Sequence, residues 1–125
     1  MDYSYLAGLL DGDGSFSIVK PKRGLKMYIY IQLGQVLTEA FRQLGVEFDR
    51  PVYELGQPTK GNKTVGKMGW CGKDAEQLLD QIESHLRLKA AQARTLREFL
   101  LARETSDLAG MLAAREQLME QNNVD

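Results

Sequence analysis

Residues 6–14 read LAGLLDGDG, an apolar stretch that leads directly into two aspartates, each followed by a glycine. Its leucines recur at helical spacing, which predicts a short helix over residues 3–12. Gly8 and Gly12 are four residues apart and therefore share one face, where another backbone can approach closely. Because each glycine costs a helix about 1 kcal/mol relative to alanine, a compensating helix–helix contact is expected. The stretch therefore predicts a helix that packs through its glycine face.

Alternating apolar and polar residues after this stretch predict an antiparallel hairpin. Residues 15–20 and 26–33 both alternate, and Pro-Lys-Arg-Gly supplies a turn between them. Two further strands are predicted near 51–56 and 63–71. Four later helices are predicted. The first covers 37–44, the second begins at Asp74 as its N-cap, and the third covers 88–103. The fourth covers 108–121, with Ser106 or Asp107 as its N-cap. The fold class is therefore α+β, a single domain over residues 1–125, with an αββαββα core, a four-stranded antiparallel sheet and additional C-terminal helices.

The same alternation divides the strand residues between two faces of the sheet. Tyr28, Tyr30 and Gln32 are expected to face outward, and the apolar residues between them to face a core. Trp70 and Cys71 are both expected in that core.

Composition favours an intracellular globular protein. The chain has 125 residues, 43% of them hydrophobic and 26% charged, close to the average for globular domains. No apolar run approaches the roughly 20 residues that a membrane span requires, and the first residues do not resemble a signal peptide. Cys71 is the single cysteine, which excludes a disulfide framework and a thiolate zinc cluster. We therefore expect no membrane partner.

The net charge of −1 conceals an asymmetry along the chain. Residues 1–73 contain ten Lys and Arg against seven Asp and Glu, whereas residues 74–125 contain six against ten. Four cations, Lys20, Lys22, Arg23 and Lys26, fall within seven positions. Charge confined to one surface can attract a phosphate backbone even when the whole chain is nearly neutral. The alternative is a solvated hairpin tip without a partner.

Three roles are open to the carboxylates of Asp11 and Asp13. They can serve a turn or a cap, which is the usual role of such residues. A calcium loop beginning at Asp11 is excluded, because its sixth position is Phe16 rather than glycine and its twelfth is Lys22 rather than glutamate. A magnesium site remains, since this ion uses one or two carboxylates together with water and substrate phosphate oxygens.

The segment LAGLLDGDG resembles the defining motif of the LAGLIDADG homing endonucleases. The similarity extends to F-S-I-V-K at 16–20, I-Q-L-G-Q at 31–35 and L-R-L-K-A-A-Q-A at 86–93. It is greatest with the single-motif, homodimeric branch found in organellar and bacterial introns. The resemblance implies a saddle-shaped sheet over the DNA major groove and a second motif helix from another subunit. It also implies a bacterial cytoplasmic or organellar location.

The resemblance further implies a sequence-specific endonuclease that makes a staggered double-strand break in double-stranded DNA. Mg²⁺ is the expected cofactor, Mn²⁺ is expected to substitute, and Ca²⁺ to support binding without cleavage. Asp13 matches the metal-binding catalytic aspartate and the Gly12 carbonyl its backbone ligand, whereas Asp11 matches a more structural position. Gln35 matches a residue that organises the attacking water, and Lys89 matches a basic residue near the scissile phosphate.

Two surfaces complete the predicted site. Residues of the strands and the first hairpin are expected to contact DNA: Ser17, Val19, Lys20, Lys22, Arg23, Lys26, Tyr28, Tyr30, Gln32 and Lys67. Residues of the first helix are expected at the dimer interface: Leu6, Gly8, Leu9 and Gly12. Two other functions remain open. One is a catalytically inactive nucleic-acid-binding protein of the same fold, such as an intron-splicing maturase or a regulator, and the other is a structural homodimer.

Overall fold

The computed structural model describes residues 1–23, 26–55 and 63–123. It confirms the predicted α+β class and the predicted order of helices and strands. The elements are α1 (Tyr3–Asp13), β1 (Gly14–Val19), β2 (Tyr28–Val36), α2 (Glu39–Glu47), β3 (Tyr53–Leu55), β4 (Val65–Cys71), α3 (Lys73–Ile82), a 3₁₀ turn (Glu83–His85), α4 (Ala90–Glu104) and α5 (Leu108–Asn122). The predicted turn glycine at 24 and the predicted strand end at 56 lie outside the described residues. Within these ranges, no helix combines the length and the apolar content that crossing a bilayer requires.

The four strands form one antiparallel sheet in the order β1-β2-β4-β3. β1 and β2 pair from Gly14 with Leu33 to Val19 with Tyr28. The other edge of β2 pairs with β4, whose far side carries the short strand β3. Antiparallel sheets commonly bury one face and leave the other available, and this sheet does so.

The buried face of the sheet and the apolar sides of the helices form one core. Phe16, Ile29, Ile31 and Met68 are completely buried, as the alternation predicts. The expectation for Cys71 is wrong, because its side chain is exposed. Successive strand residues point to opposite faces, so that Cys71 faces outward next to the buried Trp70.

Two boundaries differ from the sequence prediction in ways that shape the site. β2 continues to Val36 rather than ending at residue 33, because its pairing with β4 extends that far. α3 begins at Lys73, and its N-cap is Gly72 with a positive φ of 60°. Asp74 therefore lies in the first helical turn and pairs with Arg50 at 2.9 Å instead of capping the helix. Of the two residues predicted as the cap of α5, Ser106 and Asp107, the structure has Asp107.

α5 protects the exposed edge of β1. Arg115 Nε donates to the carbonyl of Ile18 at 3.1 Å, and Asn122 Nδ2 donates to the carbonyl of Phe16 at 2.8 Å. An open strand edge is a template for unwanted strand pairing, and a covering helix is one way to block it. The C-terminal helix thus closes one side of the sheet.

Candidate functional site

The C-terminal end of α1 brings two predicted site residues together. Asp13 is the last residue of α1 and its side chain is exposed. Gln35, near the end of β2, donates from Nε2 to Asp13 Oδ2 at 3.0 Å. The contact depends on the register in which Gly14 pairs with Leu33, because that register places the end of β2 beside the end of α1. A carboxylate and an amide thus face solvent side by side.

Asp11 has a different environment from Asp13. Its carboxylate is buried and accepts the backbone N–H groups of Arg87, Leu88 and Lys89 at 2.9, 3.0 and 2.8 Å. Burial raises the pKa of Asp11, but the three N–H donors and the charge of Lys89 outweigh it. The pKa therefore lies below the ordinary value of an aspartate. Asp11 anchors the segment that leads into α4.

Lys89 links the start of α4 to the end of α1, through both its backbone and its side chain. Its backbone is the N-cap of α4, and its Nζ donates to the backbone carbonyl of Asp11 at 2.8 Å. That carbonyl is in the last turn of α1, two residues before Asp13. The structure thus brings Asp13, Gln35 and Lys89 to one end of α1, although they lie far apart in the sequence.

The chemistry of this helix end suits a hard cation. The last carbonyls of a helix lack intrahelical donors and carry the negative end of the helix dipole. The carbonyl of Gly12 belongs to this turn, and the Asp13 carboxylate adds a formal charge. Within the described residues, no group of three or more His, Cys, Asp and Glu side chains could hold a metal. The donor set fits an ion that takes few protein oxygens and completes its shell from water and phosphate.

The outward face of the sheet carries the predicted strand contacts. Partly buried side chains on this face are Ser17, Val19, Tyr28, Tyr30, Gln32 and Lys67. Lys67 Nζ lies 5.5 Å from the centroid of the Tyr30 ring, and Gln32 Nε2 donates to Ser15 Oγ at 2.9 Å. These contacts hold the side chains in place before any ligand arrives.

The charged side chains on this face, among the described strand residues, are positive. The outward positions of the described strands include Lys67 but no Asp or Glu. The exposed cations Lys20, Lys22, Arg23 and Lys26 lie where the β1–β2 hairpin continues beyond the sheet. Such a face attracts a polyanion although the whole chain has a charge of −1.

The glycine face of α1 is open in the protomer. Gly8 and Gly12 are exposed, and a Cβ atom built on either one meets nothing within 4 Å. Leu9 is partly buried beside them, and 57% of Tyr5 is exposed. The prediction that Leu6 lies at the dimer interface is wrong, because its side chain is completely buried in the protomer's own core. Leu6 is on the opposite side of the helix, which packs against the sheet.

Sequence reasoning missed the residues that hold the α3–α4 junction in place. Arg97 on α4 donates from Nε to Glu83 at 3.0 Å and also bonds Asp80. These contacts tie α4 to the end of α3, next to the segment that Asp11 binds. No periodic signal identifies them, because the partners are charged residues on helices whose relative packing the sequence pattern does not specify.

Comparison with known proteins identifies the fold. No protein-family model matches the chain, and no curated protein matches it. Solved structures do match. The homing endonuclease I-CvuI in complex with its target has a TM-score of 0.68 and 20% identity, with 98% of this chain and 83% of that chain covered. The archaeal intron-encoded homing endonuclease I-Vdi141I bound to DNA has a TM-score of 0.68 and 16% identity, with coverage of 95% and 82%.

A third solved structure that matches is of a protein described as a LAGLIDADG meganuclease. The LAGLIDADG meganuclease I-CpaMI bound to DNA has a TM-score of 0.64 and 17% identity. The match covers 90% of this chain but only 41% of the meganuclease chain. Together with the segment LAGLLDGDG at the end of α1, these matches show that the chain has the fold of the LAGLIDADG homing endonucleases.

Proposed function

We propose that this protein is a divalent-metal-dependent, sequence-specific DNA endonuclease that acts as a homodimer. The observation that carries the proposal is the hydrogen bond between Gln35 and Asp13 at the exposed end of α1. An exposed carboxylate with a fixed amide beside it has no evident packing function there. It lies at one end of a sheet face without carboxylates among its described residues. Such an enzyme acts where its target DNA is, in the bacterial cytoplasm or in an organelle.

DNA recognition is assigned to the outward sheet face and the cationic hairpin. A two-stranded ribbon or a narrow sheet can enter the major groove, where each base pair presents a distinct pattern of donors and acceptors. Gln32 and Lys67 are the polar strand residues suited to read base edges, and the hairpin cations are suited to neutralise phosphates. The I-CvuI and I-Vdi141I structures contain DNA, which supports this assignment. Binding is expected to weaken steeply as salt concentration rises.

Two copies are needed to cut both strands. The chain carries the LAGLLDGDG segment once and therefore one Asp13. The open glycine face of α1 is the surface through which two α1 helices can approach closely, an arrangement that requires two-fold symmetry. The match covers only 41% of the I-CpaMI chain, which is therefore long enough to contain a second unit of this size. This length supports the requirement for two units. Each Asp13 then serves one strand, and a staggered break results.

The Asp13 carboxylate and the Gly12 carbonyl would hold the divalent cation, with Mg²⁺ the expected ion. When bound, such an ion neutralises charge on the scissile phosphate and makes hydroxide available at neutral pH. Gln35 orients the water that attacks, because its amide is already fixed by the bond to Asp13. Lys89 places positive charge beside the same helix end, where negative charge develops on the phosphate. One I-CvuI complex was obtained in the presence of Ca and another, with uncleaved DNA, in the presence of Mg, which supports the use of a divalent metal.

A cleavage selection tests the proposal directly. The purified protein is incubated with a randomised duplex library in Mg²⁺, Mn²⁺, Ca²⁺ or EDTA, and both bound and cut molecules are sequenced. We expect a two-fold symmetric site that is cut in Mg²⁺ and Mn²⁺ and is bound without cleavage in Ca²⁺. Selective binding without cutting in any metal would favour a non-cleaving binder of this fold. The absence of salt-dependent duplex binding would reject a nucleic-acid function.

Gly8→Leu is expected to weaken the dimer while leaving the protomer intact. Nothing in the protomer lies within 4 Å of a Cβ atom at Gly8, and leucine has a higher helix propensity by about 1 kcal/mol. The protomer should therefore be at least as stable, whereas a partner helix could no longer approach. Sedimentation velocity should show a shift towards monomer.

Ala113→Leu is the matched control for this change, because it adds a leucine to an exposed helical site on α5. It should sediment like the unmodified protein. An unchanged dimer in Gly8→Leu would reject the assignment of the α1 face.

A further inference from the structure

The outward face of the sheet changes character along its length. Val36 on β2 pairs with Val65 on β4, and Val65 pairs with Leu55 on β3. These three residues form one row across the sheet and are 44%, 38% and 49% exposed. We call this set the apolar row. It contains no polar side-chain atom.

Apart from Val19, which pairs with Tyr28, the other rows of the same face carry polar, aromatic or cationic side chains. The next row places Lys67 between Gly34 and Tyr53, and later rows include Gln32 and Tyr30. The hairpin cations follow at the far end. From Val36 to Tyr28 the strand has nine residues and eight steps, which is about 26 Å or about eight base pairs of B-DNA. The face therefore runs from apolar to cationic over the length of a half-site.

The apolar row lies beside the candidate catalytic centre. Val36 directly follows Gln35, whose amide is 3.0 Å from Asp13. In the homodimer proposed above, that end of the sheet is closest to the two-fold axis. The row therefore faces the innermost base pairs that each sheet reaches.

Strand propensity does not account for this row. Valine is common in strands for reasons of backbone fit, but leucine is not favoured on that ground. Three branched apolar side chains that adjoin across three strands form a patch, and exposed patches mark binding surfaces more often than isolated apolar residues do. In the major groove, the apolar group available to such a patch is the 5-methyl group of thymine.

We propose that Val36, Val65 and Leu55 read thymine methyl groups at the innermost base pairs of each half-site. This proposal rests on the proposed function, because it requires the sheet to face the major groove. DNA is the favoured occupant over a protein, since the patch continues into a face with Lys67 and without carboxylates among its described residues. The substrate class is thus a duplex with T·A pairs near the centre and mixed sequence further out.

The test removes the methyl groups and nothing else. Duplexes bound in Ca²⁺ are selected from a randomised library, and positions are counted from the symmetry axis of the selected site. Thymine should be enriched at the innermost contacted positions. Those thymines are then replaced by uracil, and thymines facing the hairpin end are replaced in a matched control duplex. Loss of one buried methyl should weaken binding about fourfold at the inner positions and by less at the outer ones, which face mainly aromatic and cationic side chains.

The uracil penalty is then measured again in protein variants whose apolar side chains are truncated. In Val65→Ala the penalty for inner uracil should shrink towards nothing, whereas Val46→Ala, an exposed valine on α2, should keep the full penalty. Both variants should remain folded; Val46→Ala should melt like the parent, and Val65→Ala slightly lower, because alanine is less favoured than valine in a strand. A uracil penalty that is equal at inner and outer positions, or a selective site without inner thymine, would overturn this proposal alone. The absence of selective duplex binding would overturn the proposed function as well.

Discussion

Asp13→Asn is expected to abolish DNA cleavage while dimerisation and DNA binding are retained. The side chain is exposed, so the fold does not depend on it, and the neutral amide keeps nearly the same shape. It loses the formal charge that would hold a divalent cation at the end of α1. Loss of an outer-sphere partner of a metal typically costs tenfold to a hundredfold in activity, so loss of the ligand itself should cost more than about a hundredfold.

Three measurements check this expectation. Single-turnover cleavage of the selected duplex gives the rate, binding in Ca²⁺ gives the affinity, and sedimentation gives the oligomeric state. Asp49→Asn is the matched control, since it removes one exposed carboxylate on the α2–β3 connection, where asparagine tolerates the positive φ of 54°. It should cut at the parental rate. Cleavage by Asp13→Asn at the parental rate would remove the catalytic assignment.

Asp11→Asn is expected to reduce both stability and cleavage. The carboxylate accepts three backbone N–H groups from the segment before α4. An amide cannot accept all three, and its own NH₂ group would face one of the donors. A buried donor left without a partner costs about 1–3 kcal/mol, so the free energy of unfolding should fall by about 2 kcal/mol. Because the same segment carries Lys89, cleavage should fall roughly tenfold even where the variant is fully folded.

The pH dependence gives a second readout for Asp11. Its pKa is lowered in the folded protein, so its contribution to stability is complete above the unfolded pKa of about 3.9. The contribution disappears as pH falls through the lower, folded pKa. The difference in unfolding free energy between parent and Asp11→Asn should therefore be constant above about pH 5 and should shrink in acid below the unfolded value. Chemical denaturation at several pH values measures it, and a difference independent of pH would contradict this role.

Much of the fold follows from local patterns in the sequence. Period-two alternation identifies Ile29 and Ile31 as core residues and Tyr30 as an outward residue, and the structure confirms each. The apolar stretch at 6–14 specifies a helix that ends in aspartates, and the structure has one over Tyr3–Asp13. These properties need only the geometry of a single element, since side-chain direction repeats every two residues in a strand and every 3.6 in a helix.

The partners of the site residues needed the tertiary structure. Asp11 binds backbone groups 76 to 78 residues away, and no periodicity relates the two segments. Leu6 belongs to the same stretch as the glycines, but only the packing of α1 on the sheet shows that it faces the protomer's core. The apolar row likewise exists only because the register of β4 aligns Val65 with both Val36 and Leu55.

The sequence by itself therefore determined which segments form helices and strands and which residue types occupy the end of α1. The tertiary structure decided which of them meet: Gln35 with Asp13, Lys89 with the α1 carbonyl, and three apolar side chains in one row. The reason is physical. Whether a segment is a helix or a strand, and which way its side chains point, depends on interactions within a few residues. Strand register and helix packing depend on the complementary burial of segments that are distant along the chain.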